Sequence, residues 1–298
     1  MLCLYLLVLL LPSLEGFLHG TGRGKYSLHL RCSTSSDVTT SDLNTASVKE
    51  ILYRMRQSAD SRVGSNDFPL YKEMDVARSK PTINRYIIAN PKAFFDANNY
   101  DIVKNYMDID YCNKIMMETG TLTLDVIRSL PIIYIADIHS EYGTLGFMLN
   151  KPSLKKMNDV HPEYKILRNR PIYEGGLQNK GSSFTMLHKK IGFPENRTFK
   201  TIPNDSNDQQ NNDFRLFFSP DIAMANELCS TNDARPNEFK FFTWSTVWSP
   251  KQLELEYSKK LWITIQGPCQ LLFDDVPSAA GMSLYHRILC SIPESRIS

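Results

Sequence analysis

The sequence predicts a fold that mixes β-strands with α-helices, and three observations carry that reading. Two apolar runs, 131–136 and 143–149, flank a polar stretch and predict a hairpin. Short β-forming runs at 171–174 and 183–188 are separated by a glycine-rich loop. Ser219-Pro220 and Ser249-Pro250 each put a capping residue before a proline, the pattern of a helix start.

The first residues read as targeting sequence. Residues 2–11 are almost unbroken apolar and stop at Pro12. That is too short for a membrane-spanning helix, which needs about 20 residues, and it fits the apolar region of a signal peptide with Ser13, Glu15 and Gly16 as its exit. Residues 17–36 hold no acidic side chain and carry Arg23, Lys25 and Arg31 among serines and threonines, the composition of a transit peptide. Residues 1–16 are therefore expected to be a signal peptide and 17–46 a transit-like, disordered leader. The expected route is the secretory pathway and then a secondary plastid of the apicoplast type; the alternative is plain secretion. No transmembrane segment is expected in the mature chain.

Residues 47–80 are expected to be an N-terminal helix and linker. Ser47 and Glu50 form a capping box, and Val48, Ile51, Leu52 and Met55 fall on one helical face. Residues 85–89 read as a strand entering Asn90-Pro91, and 98–108 as a helix with Ile102, Val103 and Tyr106 on one face. The stretch 109–124 is irregular by pattern. A strand at 131–136, a polar turn at 137–142 and the strand from Gly143 follow. That last strand ends at Asn150-Lys151-Pro152, where proline stops the ladder and biases Lys151 away from the helical region. The tract 203–213 is nearly all Asn, Asp and Gln and is expected to be a solvated, disordered insertion. A strand from Phe239 towards Trp244 precedes the second Ser-Pro helix, where Gln252 completes a capping box. Strands at 261–265 and 270–273 and a helix over 281–290 close the reading.

Charge narrows the partners. The chain has 34 basic and 32 acidic residues, and residues 1–36 hold three of the former and one of the latter, so the remainder is formally neutral. A neutral body makes a nucleic-acid partner unlikely, because that needs a clustered basic face. The six cysteines form no Cys-x-x-Cys pair and read as small buried apolar residues.

Taken in order, several of these stretches resemble the AlgH/YqgE family of bacteria and plastid-bearing eukaryotes. The residues that carry the resemblance are Ile88-Ala89-Asn90-Pro91, then Asp137-Ile138-His139, then Gly143 to Pro152 with its Gly146, Asn150 and Lys151. Gly175-Gly176-Leu177, Leu187-His188, Trp244 to Trp248, Gln252-Leu253-Glu254-Leu255-Glu256 and Trp262 follow. The chain departs from the family where Asp137 and Ile138 replace Cys and Glu, Leu177 replaces Pro and Trp244 replaces Gly. The resemblance implies one compact α+β domain over 81–298, with a curved, barrel-like β core, flanking helices, and insertions near 97–125 and 203–213. It implies structural roles for Asn90, Pro91, His139, Gly143, Gly146, Pro152, Gln252, Glu254 and Trp262. The family carries a transcriptional-regulator label, yet no helix-turn-helix pattern is present.

No catalytic constellation emerges. Asp137, His139 and Glu141 are spaced for metal ligands, but a turn would scatter them, so no metal or cofactor is expected. No Gly-x-Ser-x-Gly elbow exists to serve His188. Loops are where binding groups usually sit, and Asn150, Lys151, Gly175, Gly176, His188 and Trp248 are the candidates for lining a cleft for a small ligand or protein partner. The expected function is non-enzymatic binding or regulation. The alternatives are a hydrolase using His188 or His139, and a nucleic-acid-binding regulator.

Overall fold

The computed structural model describes residues 75–77, 81–119, 123, 126–127, 129–176, 184–188, 199–200, 217–267, 269–273, 283–285 and 288. The targeting sequence, the helix expected from Val48, most of the glycine-rich loop and the tract 203–213 lie outside these residues. The class is α+β.

In chain order the strands are β1 (Asp75–Ala77), β2 (Tyr86–Ala89), β3 (Ile132–His139), β4 (Gly143–Met148), β5 (Pro152–Lys156), β6 (Pro171–Glu174), β7 (Phe184–His188), β8 (Phe199–Lys200), β9 (Phe217–Ser219), β10 (Phe239–Thr243), β11 (Thr246–Trp248) and β12 (Trp262–Gln266). The helices are α1 (Pro91–Phe94), α2 (Tyr100–Val103), α3 (Ile109–Thr119), α4 (Met157–Val160), α5 (Ile222–Ser230) and α6 (Gln252–Ser258).

The strands form two six-stranded sheets, β1-β12-β2-β3-β4-β11 and β5-β6-β10-β7-β9-β8. The first is antiparallel throughout, and in the second only β6 and β10 run parallel. The barrel-like core implied by the resemblance is instead this pair of open sheets, because the chain changes sheets after β4 and after β10 rather than continuing one ladder round. In the first sheet β12, near the end of the described chain, lies between β1 and β2.

Strands β2 and β12 bury successive residues, as strands covered on both faces must. One covering layer comes from Phe94, Val103, Tyr106 and Leu253, which share the main core with these strands. Between the sheets, the Phe147 ring lies 5.1 Å from Phe242 and 6.2 Å from Phe218. A second core forms where α5 sets Ile222, Ala225 and Cys229 against Met186, Phe239 and Phe241.

Several elements differ from expectation for identifiable reasons. Residues 109–119 form α3; exposed Tyr111 and Met117 blur its apolar face, while Ile109 and Cys112 are buried. The expected 98–108 helix is a 3-10 turn at Ala97–Asn99 followed by the single turn of α2. Residues 137–139 are not turn but the end of β3, displaced by a bulge at Ala136. Helix α5 takes Asp221 as its N-cap, accepting from Met224 N at 3.0 Å, and Ser219 belongs to β9. Residues Cys269–Phe273 form a 3-10 helix burying the adjacent Leu271 and Leu272, a run that reads as strand in one dimension. Of the last expected helix, 284, 285 and 288 are helical.

Candidate functional site

The motif residues gather where the two sheets join. Beyond β4, the Asn150 Oδ1 accepts from Ile132 N at 2.9 Å and its Nδ2 donates to Leu130 O at 2.8 Å. This side chain pins the exit of β4 to the entry of β3, and both ends of its amide are used. Lys151 Nζ lies 2.8 Å from Glu174 Oε2, and Glu174 N donates to Lys151 O. Past β6, Gly175 N donates to Thr243 O, and Gly175 O accepts from Met148 N and from Thr246 Oγ1. A Cβ on Gly175 would lie 2.3 Å from Trp244 O, and one on Gly176 would lie 2.4 Å from the Ser245 backbone. Two backbones cross there, and only glycine leaves room. Trp244 has φ 64°, in the left-handed region that disfavours side chains. The glycine that the resembled family carries at this place would meet the same demand without strain.

Two residues along β11 from Thr246, Trp248 leads to a buried carboxylate. Glu256 on α6 is 1% exposed. Its Oε2 accepts from Trp262 Nε1 at 2.7 Å and from Trp248 Nε1 at 3.1 Å, and Tyr106 OH donates to the same carboxylate at 2.7–2.8 Å. Gln252 Nε2 approaches Oε1 at 3.4 Å, and Trp248 Nε1 also donates to Tyr106 OH at 2.6 Å. The Tyr106 ring meets Trp262 edge-on at 5.0 Å. Burial pushes the Glu256 carboxyl above the usual carboxylate range, opposed by hydrogen bonds from Trp262, Tyr106, Trp248 and Gln252. Burial and the neighbouring Glu256 charge push the Tyr106 phenol well up, so it stays a donor.

The sequence candidates divide accordingly. Asn150, Lys151, Gly175 and Gly176 come together at the corner. Trp248 joins them through β11, but its ring is fully buried and its indole nitrogen is spent on the carboxylate cluster. His188 pairs with Phe239 at one end of β10, whereas Glu174, next to Gly175, pairs with Thr243 at the other. It is therefore apart from the corner, and it is 0% exposed. His139 ends β3 in the open, its Nδ1 accepting from Glu141 N and its ring 4.5 Å from Tyr142.

The residues with expected structural roles sit as follows. Asn90 caps α1 by accepting from Lys92 N and donates to Lys260 O, with Pro91 next. Gly143 opens β4 with φ 93° and Pro152 opens β5. Ser249 N and Oγ both donate to Gln252 Oε1, while the helix itself begins after Lys251. Glu254 is exposed on the first turn of α6.

Glu256, part of the Gln252 to Glu256 motif, and Tyr106, expected on an apolar helix face, are not among the site residues that the sequence suggests. A signal for Glu256 was present: Leu253 and Glu256 are three apart on one helical face, and Gln252 lies four residues before it. Tyr106 has no such signal, because it comes from the segment 97–125 and meets its partners 142 and 150 positions later.

Comparison with known proteins gives a consistent result. A family model described as AlgH-like matches residues 129–294. A UPF0301 protein of Vibrio parahaemolyticus is 28% identical over 153 residues, covering 48% of this chain and 73% of the relative. One of Chromohalobacter salexigens is 27% identical over 149 residues, covering 48% and 72%. The solution structure of the AlgH protein from Pseudomonas aeruginosa is 20% identical, with a TM-score of 0.41 over 66% of this chain and 85% of that one. A crystal structure of a Corynebacterium diphtheriae protein is 17% identical, with a TM-score of 0.44 over 74% and 91%.

Proposed function

Since this chain belongs to the AlgH-like family, we propose that it acts by binding a small ligand or a protein partner and not by catalysis. One observation carries the reading: the polar groups at the corner and in the carboxylate cluster are engaged by one another and by backbone groups within the fold. Asn150 is bonded at both ends of its amide, Glu256 is enclosed by donors, and Lys151 is paired with Glu174. His188 lies out of a substrate's reach, and the exposed His139 is occupied by the backbone of its own turn. A general base needs to be within hydrogen-bond reach of a nucleophile.

The test pairs a thermal-shift screen of ligands with a panel of chromogenic ester and phosphoester substrates. The expected outcome is a ligand that raises the melting temperature, as mass action requires of anything that binds the native state, with no turnover. Turnover that disappears in His139→Ala would overturn the reading in favour of a hydrolase.

We also propose that residues 1–46 carry the protein through the secretory pathway to a plastid. The apolar run followed by an acid-free basic segment supports this. A fluorescent reporter fused behind residues 1–46 is expected to accumulate in the organelle. Its export from the cell would reject the second targeting step.

A further inference from the structure

The chain between β4 and β6 carries a charge that the rest of the molecule does not. Residues 151–170 hold six basic side chains (Lys151, Lys155, Lys156, Lys165, Arg168 and Arg170) and two acidic ones, Asp159 and Glu163. That is a formal +4 in a chain whose total is +2, so everything else sums to −2.

Both acids are already engaged. Asp159 Oδ2 accepts from Lys156 N at 2.8 Å, and Glu163 Oε1 lies 3.0 Å from His161 Nδ1. Lys155, Lys156, Lys165 and Arg168 are exposed, and among the described residues none of the four has a carboxylate within ion-pair distance. The fold brings the two ends of the segment together. Met157 N donates to Arg170 O and Asn158 N to Arg168 O, so the end of β5 and α4 run alongside 168–170.

The same segment presents apolar side chains to water. Pro152 pairs with Tyr173 and Lys156 with Pro171, so three residues of β5 face a single residue of β6. The strand bulges at Ser153-Leu154-Lys155. Leu154 stands at the tip, 104% exposed, beside Lys155 and Lys156, and Val160 and Ile166 are exposed further along.

We propose that residues 151–170 form a docking surface for an acidic, leucine-bearing segment of a partner protein. The proposal rests on the binding function argued above and names its partner class. A charged surface with desolvatable apolar side chains at its centre is the composition of a protein interface. Nucleic acid fits less well, because no aromatic side chain of this segment is exposed for base stacking. A membrane surface fits less well too, because interfacial anchoring needs a continuous apolar face, and here the apolar residues are interleaved with charges. The partner docks on side chains and does not extend the sheet. Lys155 N is taken by Ser153 Oγ and Lys156 N by Asp159, which closes this edge to strand addition.

The experiment uses the full chain and fluorescence anisotropy of a short labelled peptide that alternates glutamate and leucine. Expected is saturable binding that weakens with added salt. The Lys155→Glu/Lys156→Glu double variant should lose about tenfold or more in affinity, with an unchanged melting temperature. Leu154→Ser should weaken the leucine peptide but not a glutamate–serine control. Equal binding by wild type and the charge-reversed variant would overturn the proposal. So would absence of binding, or tighter binding to phosphatidylserine vesicles or to oligouridine. Turnover in the substrate panel with this peptide binding intact would remove the non-catalytic reading and leave the docking surface standing.

Discussion

Replacing Glu256 with alanine is expected to destabilise the domain by about 4 kcal/mol, the sum of a buried cavity and buried donors left without an acceptor. The Trp262 indole would lose the acceptor it meets at 2.7 Å, and the Tyr106 hydroxyl would lose both carboxylate oxygens. Trp248 would keep one bond, to Tyr106 OH. Glu256→Gln should cost clearly less, because an amide oxygen can still receive the indoles and the Tyr106 hydroxyl can turn to accept from the amide nitrogen. The pair of variants also exposes a pH dependence. Burial raises the folded-state pKa of Glu256 above its unfolded value. Its contribution to stability is then fully present below the unfolded pKa and is lost as pH rises through the folded one. Wild type should therefore lose stability relative to Glu256→Gln as pH climbs from the ordinary carboxylate range. Denaturant melts at several pH values measure both effects. An Ala variant no weaker than the Gln variant would mean that the donors find other acceptors.

The second large effect is expected at Gly146. A Cβ there would lie 2.7 Å from Ile133 Cγ2, 2.9 Å from Trp248 Cζ3 and 3.0 Å from Tyr134 O. Valine must displace the next strand or the indole that serves Glu256, and overpacking of this kind costs about 3 kcal/mol at its upper end. Lys151→Ala, five residues on, removes a half-exposed ion pair with Glu174 and should cost no more than about 1 kcal/mol. Comparing the two denaturation midpoints tests the assignment. Equal losses would show that Lys151 carries structural weight which the ion pair does not account for.

Local chemistry was legible in the sequence wherever one stretch decided its own structure. The strand carrying Ile132 to Ile135 and the glycines at 175 and 176 announce themselves within a few residues, whereas Pro152, expected to stop the Gly143 strand, opens β5 after that strand has ended at Met148. Helix α3 was hidden because Tyr111 and Met117 are apolar and yet face water, which removes the periodicity that marks a helix. The start of α5 was misplaced by two residues because Asp221 competes with Ser219 for the same capping task. The carboxylate cluster as a whole is not legible for a different reason, although Glu256 alone carries a signal. Tyr106, Trp248, Glu256 and Trp262 come from separate elements, and only the completed fold makes one site of them. The cleft expected from Asn150, Gly175, His188 and Trp248 rested on the same kind of long-range guess, and β10 separates His188 from the others by its full length.

The position of β12 bears on when the molecule can fold. Trp262 to Ile265 pair with Ala89 to Tyr86 on one side, and Ile265 pairs with Val76 on the other. Among the described residues, β1 and β2 thus have no direct ladder to each other, and the strand that joins them is far along the chain, Trp262 pairing with Ala89 from 173 positions later. Pairing across so long a separation is slow, since loop closure precedes any stabilising contact. A ribosome must deliver residue 266 before the first sheet can close. Until then β2 has only β3 beside it among the described strands, and the Tyr106 hydroxyl has no partner in its cluster until Trp248 and Glu256 are made. Among the described elements, β12 is thus the strand for which the first sheet has to wait.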